Sequence, residues 1–398
     1  MQRASKSHGP CRGFRVLDFT TMVSGPVCTQ YLADLGADVT KIEAPAGDPS
    51  RFTGSASRKG MTGFFAQLNR NKRSLVIDLR NAQGTRVVHR LAEGADVVVE
   101  NFRPGVADRL DIGYDALRTV NPKLIYTAIS GFGTTGPYAG HPAYDHILQG
   151  LTGMMPAQGG EGPPRMLQSV AVDKASGMAA GSATLAALLA RERNGGDGQR
   201  VDVPMLDAYA AFMLPEAVGS NAFPELPPPN SPSAQIFRTW ETKDGYIVGI
   251  VVQDSQYKAL CKMIEREDLA DDERFATLVA RFQNIDALYE VIENEFLKRP
   301  SDVLVERARR FGAPFGPVHD FEGFINDPQT QHNGTVFEVE DSDGARTRYL
   351  THPARFEKTP AVFTRPAPML GEHSDTVLAE AGFDDAEVDA LRASGAFG

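Results

Sequence analysis

Asp173 is the residue whose type and position first indicate chemistry. It stands at the start of a run rich in Ala and Gly, residues 173–193, whose pattern predicts a helix. Near a helix N-terminus the macrodipole favours the carboxylate form, and an ionised carboxylate in a water-poor site is a competent nucleophile. The same position suits an N-cap, which is a purely structural role. The residue types alone leave both roles open.

Two groups of basic residues predict a phosphate-binding region. One is segment 71–74 (NKRS) with Arg80 further on, and the other is segment 100–105 (ENFRPG) with Arg109. Arg103 and Arg109 follow an apolar strand, and ligands of open α/β sheets bind beyond the carboxyl ends of strands. Guanidinium groups and helix N-terminal amides suit phosphate oxygens at such a place. For each Arg taken alone, a solvated surface cation is the alternative.

Composition and missing motifs exclude several classes of protein. The formal net charge of -10 disfavours nucleic acid as a partner, and no apolar run is long enough to span a membrane. Three scattered cysteines, with no other ligand cluster, indicate no disulfide framework and no metal site. Segment 1–10 lacks the apolar core of a secretory signal. We therefore expect a soluble, cytoplasmic protein.

Familiar nucleotide-binding and hydrolase motifs are also missing. The sequence has no Walker loop, no GxGxxG after its first strand, no HExxH and no GxSxG. The glycine-rich segment 131–137 follows a strand without a clear helix after it, which is typical of a tight loop. Its backbone N–H groups are candidates for stabilising an oxyanion.

The elements that must position these residues alternate between strands and helices over the first two hundred residues. Such alternation predicts a doubly wound α/β layer with a parallel sheet. The run 96–100 (DVVVE) is nearly all apolar, as in a strand buried on both faces. Strand patterns cover 14–19, 38–42, 74–79, 96–100, 124–129 and 199–203, and helix patterns cover 27–35, 85–92 and 204–213.

The length and a shift in composition divide the chain further. A chain of 398 residues favours two domains, and five prolines within 224–232 predict a semi-rigid linker. We expect a large domain over 1–215, a Pro-rich linker over 216–233, a smaller α/β domain over 234–330 and a C-terminal segment over 331–398. That last segment should hold a strand pair, 336–339 with 347–350, and end in a helix over 375–381.

The collinear order of several motifs resembles that of the family III CoA-transferases, the CaiB/BaiF type that includes carnitine dehydratase and bile-acid-inducible proteins. The resemblance covers nearly the whole chain, and the set of motifs is far more specific than any one of them. It rests on segments 13–19 (GFRVLDF), 24–26 (SGP), 32–43 (LADLGADVTKIE), 71–74 (NKRS), 100–105 (ENFRPG), 198–203 (GQRVDV) and 370–373 (LGEH).

This resemblance implies a Rossmann-like large domain to which the C-terminal segment returns, with the small domain inserted between. It also implies a homodimer of two interlocked chains, acyl-CoA and carboxylic acid substrates, and no permanently bound cofactor. Asp173 takes the position of the nucleophile. The residues at the family's CoA-binding positions are Met22, Val23, Ser24, Ile77, Leu79, Arg80, Asn101, Phe102, Arg103, Arg109, Ala143, Tyr144 and Asp145.

The family contains both transferases and α-methylacyl-CoA racemases. In the transferases the Asp attacks the thioester and then carries CoA as an aspartyl thioester, whereas the racemases pair the Asp with a His. Tyr144 stands at the position of that His, and a phenol with an ordinary pKa near 10 is a poor proton shuttle at neutral pH. This favours transfer, with racemisation as the alternative. His141 and His146 are either substitutes for the missing His or solvated surface residues.

Departures from the formyl-CoA:oxalate transferases bear on the substrate. Those enzymes carry a run of glycines in the small domain, which is absent here, and a Gln where this chain has Val23. Ala44 and Pro142 replace a basic residue and a Lys of those enzymes. Met22 and Val23 predict a more apolar wall, which disfavours oxalate and favours a larger or more apolar dicarboxylate or acyl acceptor. The donor that we expect is an acyl-CoA such as succinyl-CoA or another dicarboxyl-CoA.

Overall fold

The structure is a computed structural model that describes residues 9–54, 56–160, 162–226 and 238–397. In chain order the strands are β1 Arg15–Asp18, β2 Asp38–Glu43, β3 Ser57–Arg58, β4 Met61–Thr62, β5 Arg73–Val76, β6 Val97–Glu100, β7 Ile125–Ser130, β8 Gln199–Pro204, β9 Thr239–Glu241, β10 Tyr246–Gly249, β11 Phe315–Pro317, β12 Val336–Glu340 and β13 Arg346–Leu350.

The helices follow the strands closely in the first half of the chain and dominate the second half. They are α1 Ser24–Asp34, α2 Gly63–Asn69, α3 Ala82–Glu93, α4 Val106–Arg109, α5 Tyr114–Val120, α6 Asp145–Leu151, α7 Met154–Gly159, α8 Ala171–Arg193, α9 Met205–Met213, α10 Pro215–Ser220, α11 Asp254–Met263, α12 Leu278–Gln283, α13 Ile285–Phe296, α14 Ser301–Phe311, α15 Phe321–Asn326, α16 Pro328–Asn333, α17 Ser374–Glu380 and α18 Asp385–Ala393.

Six parallel strands form the main sheet, in the order β5-β2-β1-β6-β7-β8. Val16 of β1 pairs with Val39 on one side and with Val97 on the other. The chain therefore changes direction across the sheet between β1 and β6, which is the kind of point where doubly wound sheets bind ligands. The predicted α/β class with a parallel sheet is confirmed.

Each face of this sheet is covered by helices, which explains the apolar strands. Val97 and Val99 of β6 pack into the core that contains Leu32 and Leu188, on the face of α1 and α8. Val98, between them, packs into the other core, on the face of α3 and α17. Because successive side chains point to opposite faces, a strand covered on both sides must be apolar at every position.

The chain divides into two compact units, one comprising the residues up to 222 and from 335 onward, the other residues 223–334. The second unit has a three-stranded antiparallel sheet, in the order β11-β10-β9, and a core around Trp240. The predicted linker, 216–233, begins inside helix α10, and its residues 227–233 lie outside the described residues.

Two boundaries differ from the sequence prediction for local reasons. The strand predicted over 74–79 ends at Val76, because Asp78 and Arg80 form a local hydrogen-bonded turn. The predicted terminal helix is followed by a further helix, α18, which opens with a capping box between Asp384 and Glu387. No helix in the described ranges combines the length and the apolar character needed to cross a membrane.

Candidate active site

Asp173 lies in the first turn of α8, two residues inside the helix. The helix begins at Ala171, and its N-cap, Val170, has no side-chain capping bond. The Asp173 carboxyl is half-buried and accepts hydrogen bonds from both the hydroxyl and the backbone N–H of Ser24. The interpretation of Asp173 as the N-cap is therefore wrong, since its side chain faces the start of α1 instead of its own helix.

Asp145 supplies the missing cap from another segment. One of its carboxylate oxygens accepts the N–H groups of Val172 at 2.7 Å and of Asp173 at 3.1 Å. Its other oxygen accepts a hydrogen bond from Gln149 at 2.6 Å, and Gln149 in turn binds the backbone of the segment leading into α8. Free N–H groups at a helix N-terminus need such an acceptor, so Asp145 fixes where α8 starts.

Two causes raise the pKa of Asp173 to about 6, and the first is burial of the carboxyl. The second is the nearby charge of Asp145, and the hydrogen bonds from Ser24 oppose both. The expectation that the helix N-terminus keeps this pKa low is thus wrong in direction, because desolvation outweighs it. At neutral pH the carboxyl is still mostly ionised, but burial leaves it less solvated than an ordinary carboxylate. That combination increases its reactivity as a nucleophile.

The turn before α1 joins the two strands at the switch point. Asn101, just after β6, accepts the N–H of Thr21 and donates to the carbonyl oxygen of Thr21, both at 2.9 Å. It also reaches the Ser24 hydroxyl at 3.4 Å. The carboxyl ends of β1 and β6 therefore hold Ser24 beside Asp173, as expected for a switch-point site.

The small residues of α8 allow its close approach to α1. A Cβ atom on Gly177 would lie 2.5 Å from the carbonyl oxygen of Ser24, which backbone atoms do not tolerate. Gly181, one turn on, leaves similar room for Tyr31. The Gly and Ala residues of α8 thus bring Asp173 against Ser24.

The structure brings some of the predicted CoA-site residues together and leaves others apart. Two of them contact Asp173 directly, namely Ser24, which donates to its carboxyl, and Asp145, which accepts its backbone N–H. Asn101 contacts Ser24 and the turn that contains Met22. Of the two residues predicted to form an apolar wall, Met22 is partly exposed and Val23 is buried. Ala143 packs against Gly131, at the base of the glycine-rich segment.

The remaining residues that were predicted to contact CoA lie in the segments after β5 and β6. Ile77 is buried in the core, Leu79 is partly buried, and Arg80 is highly exposed beside Asp78. Phe102 is half-buried, whereas Arg103 and Arg109 are exposed. All of these residues lie beyond the same edge of the sheet, and β5 is two strands away from β1.

The interpretation of Lys72 and Arg73 as phosphate ligands is wrong. The Lys72 ammonium is fully buried and binds Asp18, Thr29 and Asn69. Arg73 forms ion pairs with Asp38 and Glu380. A sequence pattern cannot distinguish these enclosed cations from exposed ones, because most of their partners come from other strands, from helix α1 and from the C-terminal segment.

Tyr144 and the two nearby histidines are on the surface. The Tyr144 side chain is 63% exposed, and its ring is parallel to that of His146 with centroids 6.1 Å apart. The His141 ring contacts Tyr138. Among the described residues, the groups that donate to the Asp173 carboxyl belong to Ser24. The described residues also contain no group of three or more His, Cys, Asp or Glu arranged to hold a metal ion.

Glu100 is a buried acid at the end of β6 that sequence reasoning noted only as part of a motif. Its carboxylate accepts the N–H of Phe102 at 2.7 Å and so shapes the turn that carries Asn101. Burial raises the pKa of Glu100 to about 7. The sequence contains only a weak signal that Glu100 is buried, since an acid at the end of an apolar strand is equally often exposed to solvent.

The site thus combines a doubly wound parallel sheet with an acid in the first turn of a small-residue helix, near the strand switch point, and such an acid is suited to nucleophilic chemistry. The model of CoA-transferase family III matches residues 11–374. The chain belongs to this family and is a CoA-transferase, which confirms the resemblance seen in the motifs.

Known proteins similar to this chain agree with that assignment. It is 36% identical to a succinate–glutarate CoA-transferase of Agrobacterium fabrum, over 93% of this chain and 95% of that protein. It is also 36% identical to a probable fatty acyl-CoA transferase of Mycobacterium tuberculosis, over 93% of this chain and 98% of that protein. The crystal structure of a CAIB/BAIF family protein from Brucella suis matches with a TM-score of 0.82 at 32% identity, covering 94% of this chain and all of that one.

Proposed function

We propose that this protein moves CoA from a dicarboxyl-CoA, such as succinyl-CoA, to a carboxylic acid through an aspartyl-CoA thioester on Asp173. The observation that carries the proposal is the environment of the Asp173 carboxyl. It is half-buried, has a pKa raised to about 6, and is held by two donors of Ser24 at a strand switch point. The succinate–glutarate activity named for the Agrobacterium relative supports a dicarboxyl substrate.

The transfer needs four balanced steps. The Asp173 carboxylate attacks the thioester carbonyl of the donor, the C–S bond breaks, and a mixed anhydride and CoA thiolate form. The thiolate attacks the aspartyl carbonyl, which releases the donor acid and leaves the aspartyl-CoA thioester. The acceptor carboxylate attacks this thioester, releasing the thiolate and forming a second anhydride. The thiolate then attacks the acceptor carbonyl and frees the Asp173 carboxylate.

Ser24 has a specific role in this scheme. When a nucleophile attacks the aspartyl carbonyl, negative charge develops on an oxygen that already accepts hydrogen bonds from Ser24. Donors fixed in advance stabilise such an oxyanion without reorganisation at the moment of reaction. Asp145 fixes the start of α8 and its charge raises the pKa of Asp173, so the nucleophile is both positioned and made more basic.

The wider substrate site is assigned on chemical grounds. Arg103 and Arg109 are exposed guanidinium groups beyond the end of β6 and suit the phosphates of CoA. Asn101 contacts the Ser24 hydroxyl, and the exposed Met22 and half-buried Phe102 lie in the same two segments as Ser24 and Asn101. An interlocked homodimer remains part of the proposal, and light scattering of the purified protein tests whether its mass is that of a dimer.

The test compares the enzyme with its Asp173→Asn variant in a panel of donors and acceptors read by mass spectrometry. Succinyl-CoA with an acceptor acid should yield the acceptor's CoA thioester with the native protein and none with the variant. Transfer by Asp173→Asn at the native rate would overturn the assignment. Incubation of a 2-methylacyl-CoA in deuterated water is the control. Deuterium at the α-carbon in the absence of an acceptor would instead show racemisation.

A further inference from the structure

The turn between β1 and α1, which leads directly into Ser24, contains an unusual backbone conformation at Met22. Met22 has a φ of 65°, in the left-handed region that non-glycine residues rarely adopt. The next residue, Val23, is the N-cap of α1 and makes no side-chain capping bond. A turn of this kind persists only where the surrounding structure holds it, and such turns cluster at functional sites.

A buried pair of charges holds this turn. One carboxylate oxygen of Asp48 accepts the N–H of Met22 at 3.1 Å. Lys41 pairs with the other oxygen of Asp48 at 2.9 Å and donates to the carbonyl oxygen of Thr20 at 2.7 Å. The backbone N–H of Asp48 is itself bound by Glu43 at 3.0 Å. Both ends of the turn are therefore tied to one ion pair.

The ion pair is fully enclosed by protein. The side chains of Lys41 and Asp48 have no exposed surface. Asp18, Lys72 and Glu43 are the other charged groups that act on this pair. Burying charges carries a large desolvation cost, and apolar residues of similar size often stabilise a core at least as well. Stability alone therefore gives a poor reason for placing this pair beneath the turn.

The turn acts on Asp173 through Ser24. Ser24 lies two residues after Met22 and donates both of its hydrogen bonds to the Asp173 carboxyl. Gly25 is packed so closely on Thr20 that a Cβ there would lie 2.2 Å from the Thr20 side chain. A change in the turn at Thr20 or Met22 must therefore move Ser24.

We propose that Asp48, with Lys41, is a positioning residue that sets the Ser24 donors on the catalytic carboxyl. The inference rests on the proposed role of Asp173. Asp48 does not touch that carboxyl, so its effect passes entirely through the Met22 turn and Ser24. Loosening the turn weakens the hydrogen bonds that lower the pKa of Asp173 and also misplaces the oxyanion donors.

The chain offers a matched control at the other end of α1. Asp34 is also a buried acid, and it pairs with Arg70 and accepts a hydrogen bond from Asn71 at 2.8 Å. Arg70 and Asn71 follow α2, and the Asn71 amide also donates to the carbonyl oxygen of Val362, so these groups lie at the opposite end of α1 from Ser24. Asp34→Asn and Asp48→Asn thus each break one buried ion pair, but only Asp48 contacts the Met22 turn.

The experiment measures kcat/KM for acyl-CoA against pH for Asp48→Asn, Asp48→Ala, Ser24→Ala and Asp34→Asn. We expect both Asp48 variants and Ser24→Ala to move the acidic limb upward by about one pH unit, because the carboxylate loses donors. At the pH optimum, Asp48→Ala should lose about tenfold to a hundredfold in kcat/KM, since small misplacements of reacting groups are costly. Asp48→Asn keeps one acceptor for the Met22 N–H, so its kcat/KM should lie between that of the native protein and that of Asp48→Ala.

The control variant separates positioning from stability. Asp34→Asn should change the midpoint of denaturant unfolding, because it breaks a buried ion pair, but keep the native acidic limb. If Asp48→Asn and Asp34→Asn have the same pH profile, the positioning role is overturned. If Asp48→Ala does not fold, Asp48→Asn and Ser24→Ala still decide the question. Unimpaired transfer by Asp173→Asn in the same assay would instead overturn the proposed function, so the two failures are distinct.

Discussion

Replacing the candidate nucleophile should stabilise the protein, and it should do so in a pH-dependent way. Asp173→Asn keeps the shape of the side chain and an oxygen that accepts the Ser24 hydrogen bonds, but removes the buried charge. In the folded protein the pKa of Asp173 is raised from 3.8 to about 6. Ionising this carboxyl therefore costs more in the folded than in the unfolded state.

The magnitude follows from the difference in pKa. Below pH 3.8 the carboxyl is protonated in both the folded and the unfolded state, so it does not lower the free energy of unfolding. As the pH rises, the unfolded state ionises first, so stability falls until the pH passes about 6 and the penalty becomes constant. One pKa unit corresponds to about 1.4 kcal/mol, so the penalty is at most about 3 kcal/mol at pH 8 and about 1 kcal/mol at pH 4.5. Partial exposure to solvent reduces both figures.

Native-state hydrogen exchange is the suitable assay, with peptides from β6 and β7 read by mass spectrometry. The one tryptophan of the chain, Trp240, belongs to the other compact unit, so its fluorescence would not report on this sheet. Asp173→Asn should exchange more slowly than the native protein at pH 8, and the gap should narrow toward pH 4.5. Asp385→Asn removes an exposed carboxylate from α18 and serves as the charge control. If the difference in exchange is the same at both pH values, or if Asp173→Asn is less protected than the native protein at pH 8, then the ionised Asp173 carboxyl does not destabilise the fold.

Three further predictions concern groups around the nucleophile. Asp145→Asn removes a charge that raises the pKa of Asp173, so the acidic limb of kcat/KM should move to lower pH; an unmoved limb in the pH profile would contradict the assigned cause. Glu100→Gln should add about 1–3 kcal/mol of stability at pH 8 and about a quarter as much at pH 5, because burial raises the pKa of Glu100 to about 7, and denaturation at the two pH values checks this. Arg103→Ala should raise KM for acyl-CoA several-fold at low salt, with a smaller effect at high salt, whereas the exposed Arg118→Ala on α5 should not; equal effects of the two would remove Arg103 from the phosphate site.

Patterns along the chain predicted those parts of the fold that depend on burial and periodicity. The run of valines in β6 indicated a strand covered on both faces, and Val97, Val98 and Val99 indeed enter two different cores. The small residues of α8 indicated close helix packing, which Gly177 provides against Ser24. These features are local, so they can be seen in a single sequence.

The parts that the sequence did not reveal depend on partners distant along the chain. Asp145 caps a helix that begins 26 residues later, and nothing in the segment around it indicates that. Lys72 stands in a basic segment that is typical of a phosphate site, but in the fold its ammonium is buried and pairs with Asp18 of β1. The pKa of Asp173 likewise depends on burial and on Asp145, neither of which a helix N-terminus predicts.

Capture of the covalent intermediate is the most direct test of CoA transfer through an aspartyl-CoA thioester on Asp173. The protein is incubated with succinyl-CoA without an acceptor acid, quenched, and measured by intact mass and peptide mapping, with hydroxylamine added to a parallel sample. We expect CoA attached as a thioester to Asp173, conversion of that residue to a hydroxamate by hydroxylamine, and neither product in Asp173→Asn. CoA on another residue, or turnover with no covalent CoA at any stage, would contradict this mechanism.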